Sequence, residues 1–263
     1  MIVALSLLLL ADVAAPAEAP EPAAAAESNA EATESPAPRR PAEPPKKRRP
    51  NPAFTPVEEN PNLPRVLLVG DSISMGYTLP VRERLDGVAN VQRPAENCGP
   101  TSRGVAKLDR WLAVGGDDKT WDVIHFNFGL HDLKYVDDRK QPSTPERGHY
   151  QVPPDQYREN LQTIVDRLKR TGATLIWRNT TPVPDGTEMR VAGDAAKYNA
   201  IAAEVMQASG IPTHDLYTFA KANEAEIQLP ANVHYTPEGS ARLADEVARV
   251  IREALEQTSA AAD

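Results

Sequence analysis

From residue 65 onwards, short apolar runs alternate with longer amphipathic segments, and this alternation constrains the fold more than any other feature of the chain. Short apolar runs bounded by turn-forming residues indicate buried strands, whereas apolar residues three and four positions apart indicate helices. Strands separated by helices are joined by right-handed crossovers and form a parallel sheet covered on both faces. The pattern therefore predicts a three-layer α/β/α sandwich with a central, mostly five-stranded parallel sheet.

Several predicted helices begin or end at residues that favour a helix terminus. Gly172 and Gly210 end two helices with a residue that tolerates left-handed backbone, and Pro237 opens the last helix. Residues 133–154 are predicted to form an irregular loop, either a functional lid or a plain surface excursion. The predicted strands are residues 65–69, 88–92, 122–128, 174–178 and 211–215, and the predicted helices are residues 77–85, 103–112, 155–171, 195–209, 217–226 and 237–257.

Composition divides the chain into unequal parts. Residues 20–61 are rich in Ala, Pro and Glu and poor in large apolar side chains, so they are predicted to be a disordered linker. Residues 62–258 are predicted to form one domain, followed by a tail at residues 259–263. The linker carries a basic cluster, for which a solvated spacer is favoured over contact with anionic surface polymers: Arg39-Arg40 and Lys46-Lys47-Arg48-Arg49.

The first 19 residues resemble a secretory signal peptide. An apolar run from Ile2 to Leu10 is followed by Ala-rich sequence, although no Lys or Arg precedes Arg39. The run is too short for a normal membrane span, so no stable membrane insertion is expected. We therefore expect an exported protein, periplasmic or extracellular, with a cytoplasmic location as the alternative.

Charge and cysteine content exclude several classes of partner. The net charge is −8, with 37 acidic and 29 basic residues, so the folded part is not expected to bind nucleic acid. Cys98 is the only cysteine, which rules out an intrachain disulfide, and its neighbours indicate a loop. No Cys/His group has the spacing of metal ligands, and neither a metal nor another cofactor is predicted.

Two residues at opposite ends of the domain suggest nucleophilic chemistry. Ser72 follows the first predicted strand in the sequence Gly70-Asp71-Ser72, and His234 stands just before the last predicted helix. Serine is a poor nucleophile unless a base lies within hydrogen-bond reach, and imidazole accepts and returns a proton near pH 7. Taken singly, Ser72 fits a helix cap and His234 a surface loop; together they favour catalysis.

Four blocks at predicted strand ends resemble the SGNH/GDSL hydrolase superfamily: Gly70-Asp71-Ser72-Ile73, Asn97-Cys98-Gly99-Pro100-Thr101, Asn127-Phe128-Gly129-Leu130-His131-Asp132 and the segment containing His234. The resemblance covers residues 65–251 and implies a flavodoxin-like fold and a cofactor-free serine esterase. It implies that Ser72 is the nucleophile and His234 the general base. It also implies an oxyanion hole from the backbone N–H groups of Ser72 and Gly99 and a third donor, with Thr101, Ser102 or Gly104 as alternatives to Gly99.

The chain departs from the superfamily pattern at two positions. His131 stands where the pattern has the oxyanion asparagine, and a neutral imidazole still offers one N–H donor. Ala231 stands where the pattern has the aspartate that orients the base, which leaves a Ser72–His234 dyad as the working model. Several further residues are predicted to orient or support the site: Asp71, Asn127, Asp132 and, next to Ala231, Asn232; Asp215 is a less favoured acid.

The predicted activity is hydrolysis of a small acyl ester, with acetyl on a carbohydrate or cell-envelope glycan as the favoured substrate by analogy with exported members of the superfamily. A non-catalytic glycan-binding protein and a lipase or thioesterase of the same superfamily are the alternatives. Arg178, at the end of the fourth predicted strand, is a candidate for binding substrate, with a structural salt bridge as the other interpretation. The oligomeric state is not predicted.

Overall fold

The computed structural model describes residues 51–116 and 120–262, without the side chains of residues 259, 261 and 262. The predicted signal peptide and the linker up to residue 50 lie outside these residues. Within the described ranges, no helix combines the length and apolarity that a membrane crossing requires.

Five parallel strands form the central sheet, which confirms the predicted three-layer fold. The strands of the chain are β1 (Arg65–Val69), β2 (Asn90–Gln92), β3 (Val123–Phe126), β4 (Tyr135–Val136), β5 (His149–Tyr150), β6 (Thr174–Arg178) and β7 (Thr213–His214), of which β4 and β5 form a separate antiparallel pair. The order in the sheet is β2-β1-β3-β6-β7, so β1 lies between β2 and β3, and four of its five residues are buried.

The direction of the chain along the sheet reverses after β2. Right-handed crossovers then place the helix after β1 on one face and the helices after β2, β3 and β6 on the other. Consistently, the first helix packs against the last, and the other three pack in sequence. The helices are α1 (Ser72–Arg84), α2 (Thr101–Leu112), α3 (Pro154–Lys169), α4 (Asp194–Ser209), α5 (Leu216–Ala222), α6 (Glu224–Ile227) and α7 (Pro237–Ala262).

The reversal creates a crevice at the carboxyl edge of the sheet, between the ends of β1 and β3. Open α/β sheets bind ligands at such a switch point because the loops after the two strands diverge to opposite faces. Ser72 follows β1 and His131 follows β3. The topology therefore brings two of the predicted site blocks to one crevice.

Some predicted boundaries need correction. α1 begins at Ser72 rather than at residue 77, because Asp71 caps it by accepting a hydrogen bond from the Ile73 backbone N–H at 3.0 Å. The helix predicted at residues 217–226 is divided into α5 and α6 at Asn223. α7 continues to Ala262, so most of the predicted tail is helical.

Residues 133–154 form a loop that is irregular, as predicted, except at two short strands. They contain the β4–β5 pair, where Tyr135 is aligned with Tyr150, and a hydrogen bond of 2.7 Å joins Gln151 N–H to the Lys134 carbonyl. The Tyr198 hydroxyl of α4 donates to the Val152 carbonyl at 2.7 Å. The loop is therefore anchored to the domain at its base.

The packed domain begins earlier than residue 62. A short 3-10 helix covers Pro52–Phe54. The backbone N–H groups of Val57 and Asn60 donate to the side-chain oxygens of Gln92 (3.2 Å) and Asn90 (2.9 Å) on β2. Since β2 is an edge strand, this segment covers polar side chains of β2 that would otherwise face solvent.

Candidate active site

Ser72 occupies the first position of α1, directly after the buried strand β1. Asp71 is 1% exposed and supplies the helix cap, so the Ser72 hydroxyl is not required for capping. Ser72 is half-buried, and its Oγ lies 2.8 Å from Nε2 of His234. The structure thus brings together the serine of the first block and the histidine of the last, which are 162 positions apart in the chain.

The second nitrogen of the His234 ring contacts Asn232. Oδ1 of Asn232 lies 2.8 Å from Nδ1 of His234 and also accepts the His234 backbone N–H at 3.0 Å. A backbone N–H can only donate, so the Asn232 atom it meets is the oxygen. Nδ1 must therefore carry the proton, which leaves the Nε2 lone pair directed at the Ser72 hydroxyl.

The loop that carries His234 is held by Gln228, a residue that the sequence did not single out. Gln228 is buried, and its side-chain nitrogen donates to three carbonyls, those of Pro182 (3.1 Å), Asn232 (3.2 Å) and Val233 (3.3 Å). The Leu229 backbone N–H donates to the His234 carbonyl at 3.0 Å. These bonds fix the loop between α6 and α7.

Ala231 occupies the left-handed backbone region, with φ of 49°. Its methyl group cannot accept a hydrogen bond, so this position does not orient the histidine as the superfamily aspartate does. Asn232, one residue closer to His234, makes that contact instead.

The loop containing Gly99 lies beside the serine. The Cys98 backbone N–H donates to the Gly70 carbonyl at 3.2 Å, and Gly99 has φ of 66°, which favours glycine. The Gly99 N–H is not directed at an open position, because it donates to Oδ1 of Asn97 at 2.9 Å. This differs from the donor role that the sequence predicts for Gly99.

Among the predicted alternatives to Gly99, Thr101 and Gly104 also have backbone N–H groups that are already hydrogen-bonded. Thr101 N–H donates to Oδ1 of Asp132 at 2.8 Å, and Gly104 N–H donates to the Pro100 carbonyl at 3.2 Å. Ser102 is exposed beside the loop. Asp132 therefore supports the start of α2, and not His234.

Burial has a large effect on Asp132. Desolvation raises the pKa of this carboxyl group to about 7, although the hydrogen bonds from Thr101 oppose the shift. Its Oδ2 atom is buried and has no hydrogen-bond partner within the described residues. The Thr101 hydroxyl also donates to Oδ1.

His131 stands on the turn after β3. Gly129 makes this turn fit, since a Cβ atom there would lie 2.0 Å from Oγ1 of Thr180. Burial lowers the pKa of His131, and the positive charges of nearby cations reinforce the shift, whereas Asp71 opposes it. The imidazole is therefore neutral near pH 7 and offers one N–H donor. The cations are Arg190, Lys134 and Arg103.

Arg178 is completely buried, which corrects the prediction that it contacts substrate. Its guanidinium donates to Oδ1 of Asn127, whose side-chain nitrogen donates back to the Arg178 carbonyl at 2.7 Å. Nη2 of Arg178 lies 4.0 Å from Oδ1 of Asp71. Arg178 and Asn127 join the ends of β3 and β6, and the guanidinium places a positive charge close to Asp71. Arg178 therefore has a structural role.

The buried side chains of Cys98, His125 and His214 are neutral at pH 7 and have no place in the Ser72–His234 arrangement. Desolvation raises the pKa of the buried Cys98 thiol to about 12, so it is protonated at neutral pH. His125 and His214 form a buried contact of 3.2 Å, and burial lowers the pKa of both, that of His214 to about 3. Among the described residues, no group of three or more His, Cys, Asp or Glu side chains has the arrangement of a metal site.

A serine hydroxyl hydrogen-bonded to an oriented imidazole at the carboxyl edge of a parallel sheet is the arrangement of α/β serine hydrolases. Residues 68–242 match the model of the GDSL-like lipase/acylhydrolase family. The chain belongs to this family and is a carboxylic ester hydrolase.

Several solved structures share the fold at low sequence identity. A lipase/acylhydrolase from Enterococcus faecalis has a TM-score of 0.58 at 19% identity, covering 72% of this chain and 96% of its own. The acetyl xylan esterase AlAXEase gives 0.56 at 15% identity, with 71% and 99% covered. The acetylxylan esterase Axe2 from Geobacillus stearothermophilus gives 0.53 at 16%, with 71% and 93% covered. A comparison with curated proteins gave no significant match.

Proposed function

We propose that the protein is a serine esterase in which Ser72 is the nucleophile, His234 the general base and Asn232 the acceptor that orients the base. The observation that carries this proposal is the chain of two 2.8 Å contacts from Asn232 through His234 to Ser72. Because Asn232 fixes the proton on Nδ1, Nε2 is free to accept the serine proton. The departure at Ala231 is thereby compensated without a charge.

The reaction then proceeds in two acyl transfers. Ser72 Oγ attacks the ester carbonyl while its proton moves to Nε2 of His234, and a tetrahedral oxyanion forms. As this intermediate collapses, the bond to the alcohol oxygen breaks and His234 returns the proton to the leaving alcohol. A water molecule, deprotonated by His234, attacks the acyl-serine, and the acid leaves as Ser72 recovers its proton.

Two groups support the oxyanion in this proposal. The Ser72 backbone N–H lies in the first turn of α1, where N–H groups lack partners within the helix. The neutral His131 imidazole supplies a side-chain donor. Gly99 contributes a third donor only if its N–H leaves Asn97 when substrate binds. Donors of this kind are worth about 100- to 1000-fold in rate each.

A small acyl group, acetyl above all, on a carbohydrate is the proposed substrate. A groove of about 600 Å³ lies beside Gly99 and His131, and among the residues that line it only Pro100 and Ala106 have wholly apolar side chains. A long acyl chain needs a continuous apolar channel, so this lining favours an acetylesterase over a lipase or thioesterase. Two structural neighbours are acetyl xylan esterases. Export of the protein stays a prediction from residues 1–19.

The test measures p-nitrophenyl acetate hydrolysis and labelling by a fluorophosphonate probe, using the full chain. We expect Ser72→Ala and His234→Ala to lose on the order of 10⁴-fold or more in kcat/KM, and Ser72→Ala to lose labelling. Ser209→Ala, at the C-terminal end of α4, is the matched control and keeps both properties. Absence of turnover and of labelling in the wild type would contradict the proposal and favour a non-catalytic glycan-binding protein.

A further inference from the structure

The groove beside the proposed oxyanion donors carries a concentration of positive charge. Four cationic side chains line it together with Gly99 and His131, and no Asp or Glu belongs to its lining: Arg103, Lys107, Lys134 and Lys140. The whole chain has a net charge of −8. In a protein with more acidic than basic residues, charges placed only for solubility would include carboxylates in the lining of such a groove. The absence of Asp and Glu from this lining therefore calls for another explanation.

Nearby carboxylates neutralise only part of this charge. Glu96 lies 2.8 Å from the Lys107 ammonium and 4.0 Å from the Arg103 guanidinium, and its other oxygen accepts the Trp111 indole N–H at 3.0 Å. Lys134 and Lys140 have no carboxylate partner within the described ranges. One carboxylate therefore offsets at most one of the four positive charges, and Lys134 and Lys140 have no acidic side chain paired with them in the described ranges.

Two walls of different origin form the groove. One is the first half of α2, which supplies Ser102, Arg103, Ala106 and Lys107. The other is the anchored loop that carries Lys134, Lys140 and Gln151. Because β4–β5 and Tyr198 hold the base of this loop, Lys134 stands in a defined place at the groove.

The environment of Lys134 indicates that the charge is unsatisfied. Burial lowers the pKa of the Lys134 ammonium, and the neighbouring Arg190 lowers it further. Arg190 is itself held by a 2.9 Å hydrogen bond from its Nε to the Leu130 carbonyl. Like charges held close together repel each other, and an anion bound beside Lys134 in the groove would offset that repulsion.

We propose that this groove is an anion subsite, and that the preferred substrate is an ester carrying a negatively charged substituent, such as the carboxylate of an acidic sugar. This proposal rests on the proposed function, since the subsite directs the ester to Ser72. The guanidinium of Arg103 and the ammonium groups of Lys134 and Lys140 are suited to carboxylate and sulfonate oxygens. Neutral esters would be hydrolysed without this contribution.

The experiment compares acetate release from 4-acetoxybenzoate, 4-acetoxybenzenesulfonate and the neutral 4-acetoxybenzamide by the full chain. The quantity measured is the ratio of kcat/KM for each anionic ester to that for the amide. We expect this ratio to fall about fivefold to tenfold in the variant Lys134→Gln/Lys140→Gln, and to fall with added salt in the wild type. Dividing the variant's ratio by the wild-type ratio cancels differences in leaving-group reactivity.

A second pair of variants keeps all the lysines. Ala106 is exposed on α2 and lines the groove, so Ala106→Glu adds a carboxylate, whereas Ala106→Gln adds the same volume without charge. We expect only the Glu variant to lower the ratio. Lys169→Gln, at the end of α3, is the control for the lysine changes. A loss confined to one anionic ester supports the subsite and identifies the anion it takes.

Equal ratios in the wild type, the lysine variant and both Ala106 variants, with no effect of salt, would overturn the subsite. In that case Ser72-dependent hydrolysis of p-nitrophenyl acetate would still support the esterase. Failure of the esterase proposal would be recognised by a different result, the absence of any Ser72-dependent turnover. The two failures are therefore distinguishable.

Discussion

At the scale of single residues, the proposed site uses an amide, that of Asn232, for the contact that an acid makes in other serine hydrolases. In serine hydrolases the carboxylate both selects the tautomer of the histidine and stabilises its cation. In the proposed site Asn232 performs the first task, because the backbone N–H of His234 orients its oxygen, but it brings no negative charge for the second. The two tasks are thus separable in this protein by substitution at one position.

We predict that Asn232→Ala lowers kcat by about 100-fold or more, since the imidazole loses the acceptor that holds the proton on Nδ1. Asn232→Asp keeps an oxygen in the same place and adds a charge that stabilises the imidazolium, so kcat is expected to equal or exceed that of the wild type. Steady-state kinetics with p-nitrophenyl acetate measure both, with the exposed Asn62→Ala as control. An inactive Asp variant with unchanged thermal stability would contradict this assignment.

The sequence predicted some of these residues and not others, for physical reasons. Ser72 and His234 could be singled out because their motifs are local and each stands at the end of an element. Asn232 could be named as a candidate because it adjoins Ala231, but its inward turn depends on hydrogen bonds within the loop. The burial of Arg178 depends on packing of β3 against β6. Gln228 could not be predicted, because the sequence does not distinguish a buried glutamine that bonds three carbonyls from an exposed one.

At the scale of elements, the regular parts were predictable and the irregular parts were not. β1 and β6 have the predicted bounds, since continuous apolar runs identify strands buried on both faces. The predicted start of α1 is too late, because Ser72 and Ser74 alternate with Ile73 and Met75 in its first turn and hide the helical periodicity. The β4–β5 pair has two residues in each strand, too few for an alternating pattern.

The loop between α6 and α7 shows how one side chain can position an element. We predict that Gln228→Met, which keeps the length of the side chain, destabilises the fold by about 1–3 kcal/mol, because three carbonyls lose their donor. Well below the melting temperature, kcat/KM should fall about tenfold as His234 loses its fixed position. Gln207→Met, exposed on α4, is the matched control. Lower stability with unchanged kinetics would limit Gln228 to a purely structural role.

At the scale of the whole molecule, buried ionisable groups make opposite contributions to the dependence of stability on pH. Burial lowers the folded-state pKa of His125 and His214, so their contribution to stability is present above the ordinary histidine pKa and is lost as the pH falls. Asp132 acts in the other direction, since its folded-state pKa is raised. Its contribution is present below the ordinary carboxyl pKa and is lost as the pH rises towards 7.

Asp132→Asn separates these contributions. The amide keeps an oxygen for the two hydrogen bonds from Thr101 but has no proton to lose, so the variant should lack the decline that ionisation of Asp132 causes. We predict that the unfolding free energy of the wild type, relative to the variant, falls by about 2–4 kcal/mol between pH 4 and pH 7.5. Urea unfolding across this range measures the difference, in which the histidine contributions cancel. A difference that stays constant with pH would mean that Asp132 remains ionised in the folded protein throughout, with the start of α2 built around a buried charge.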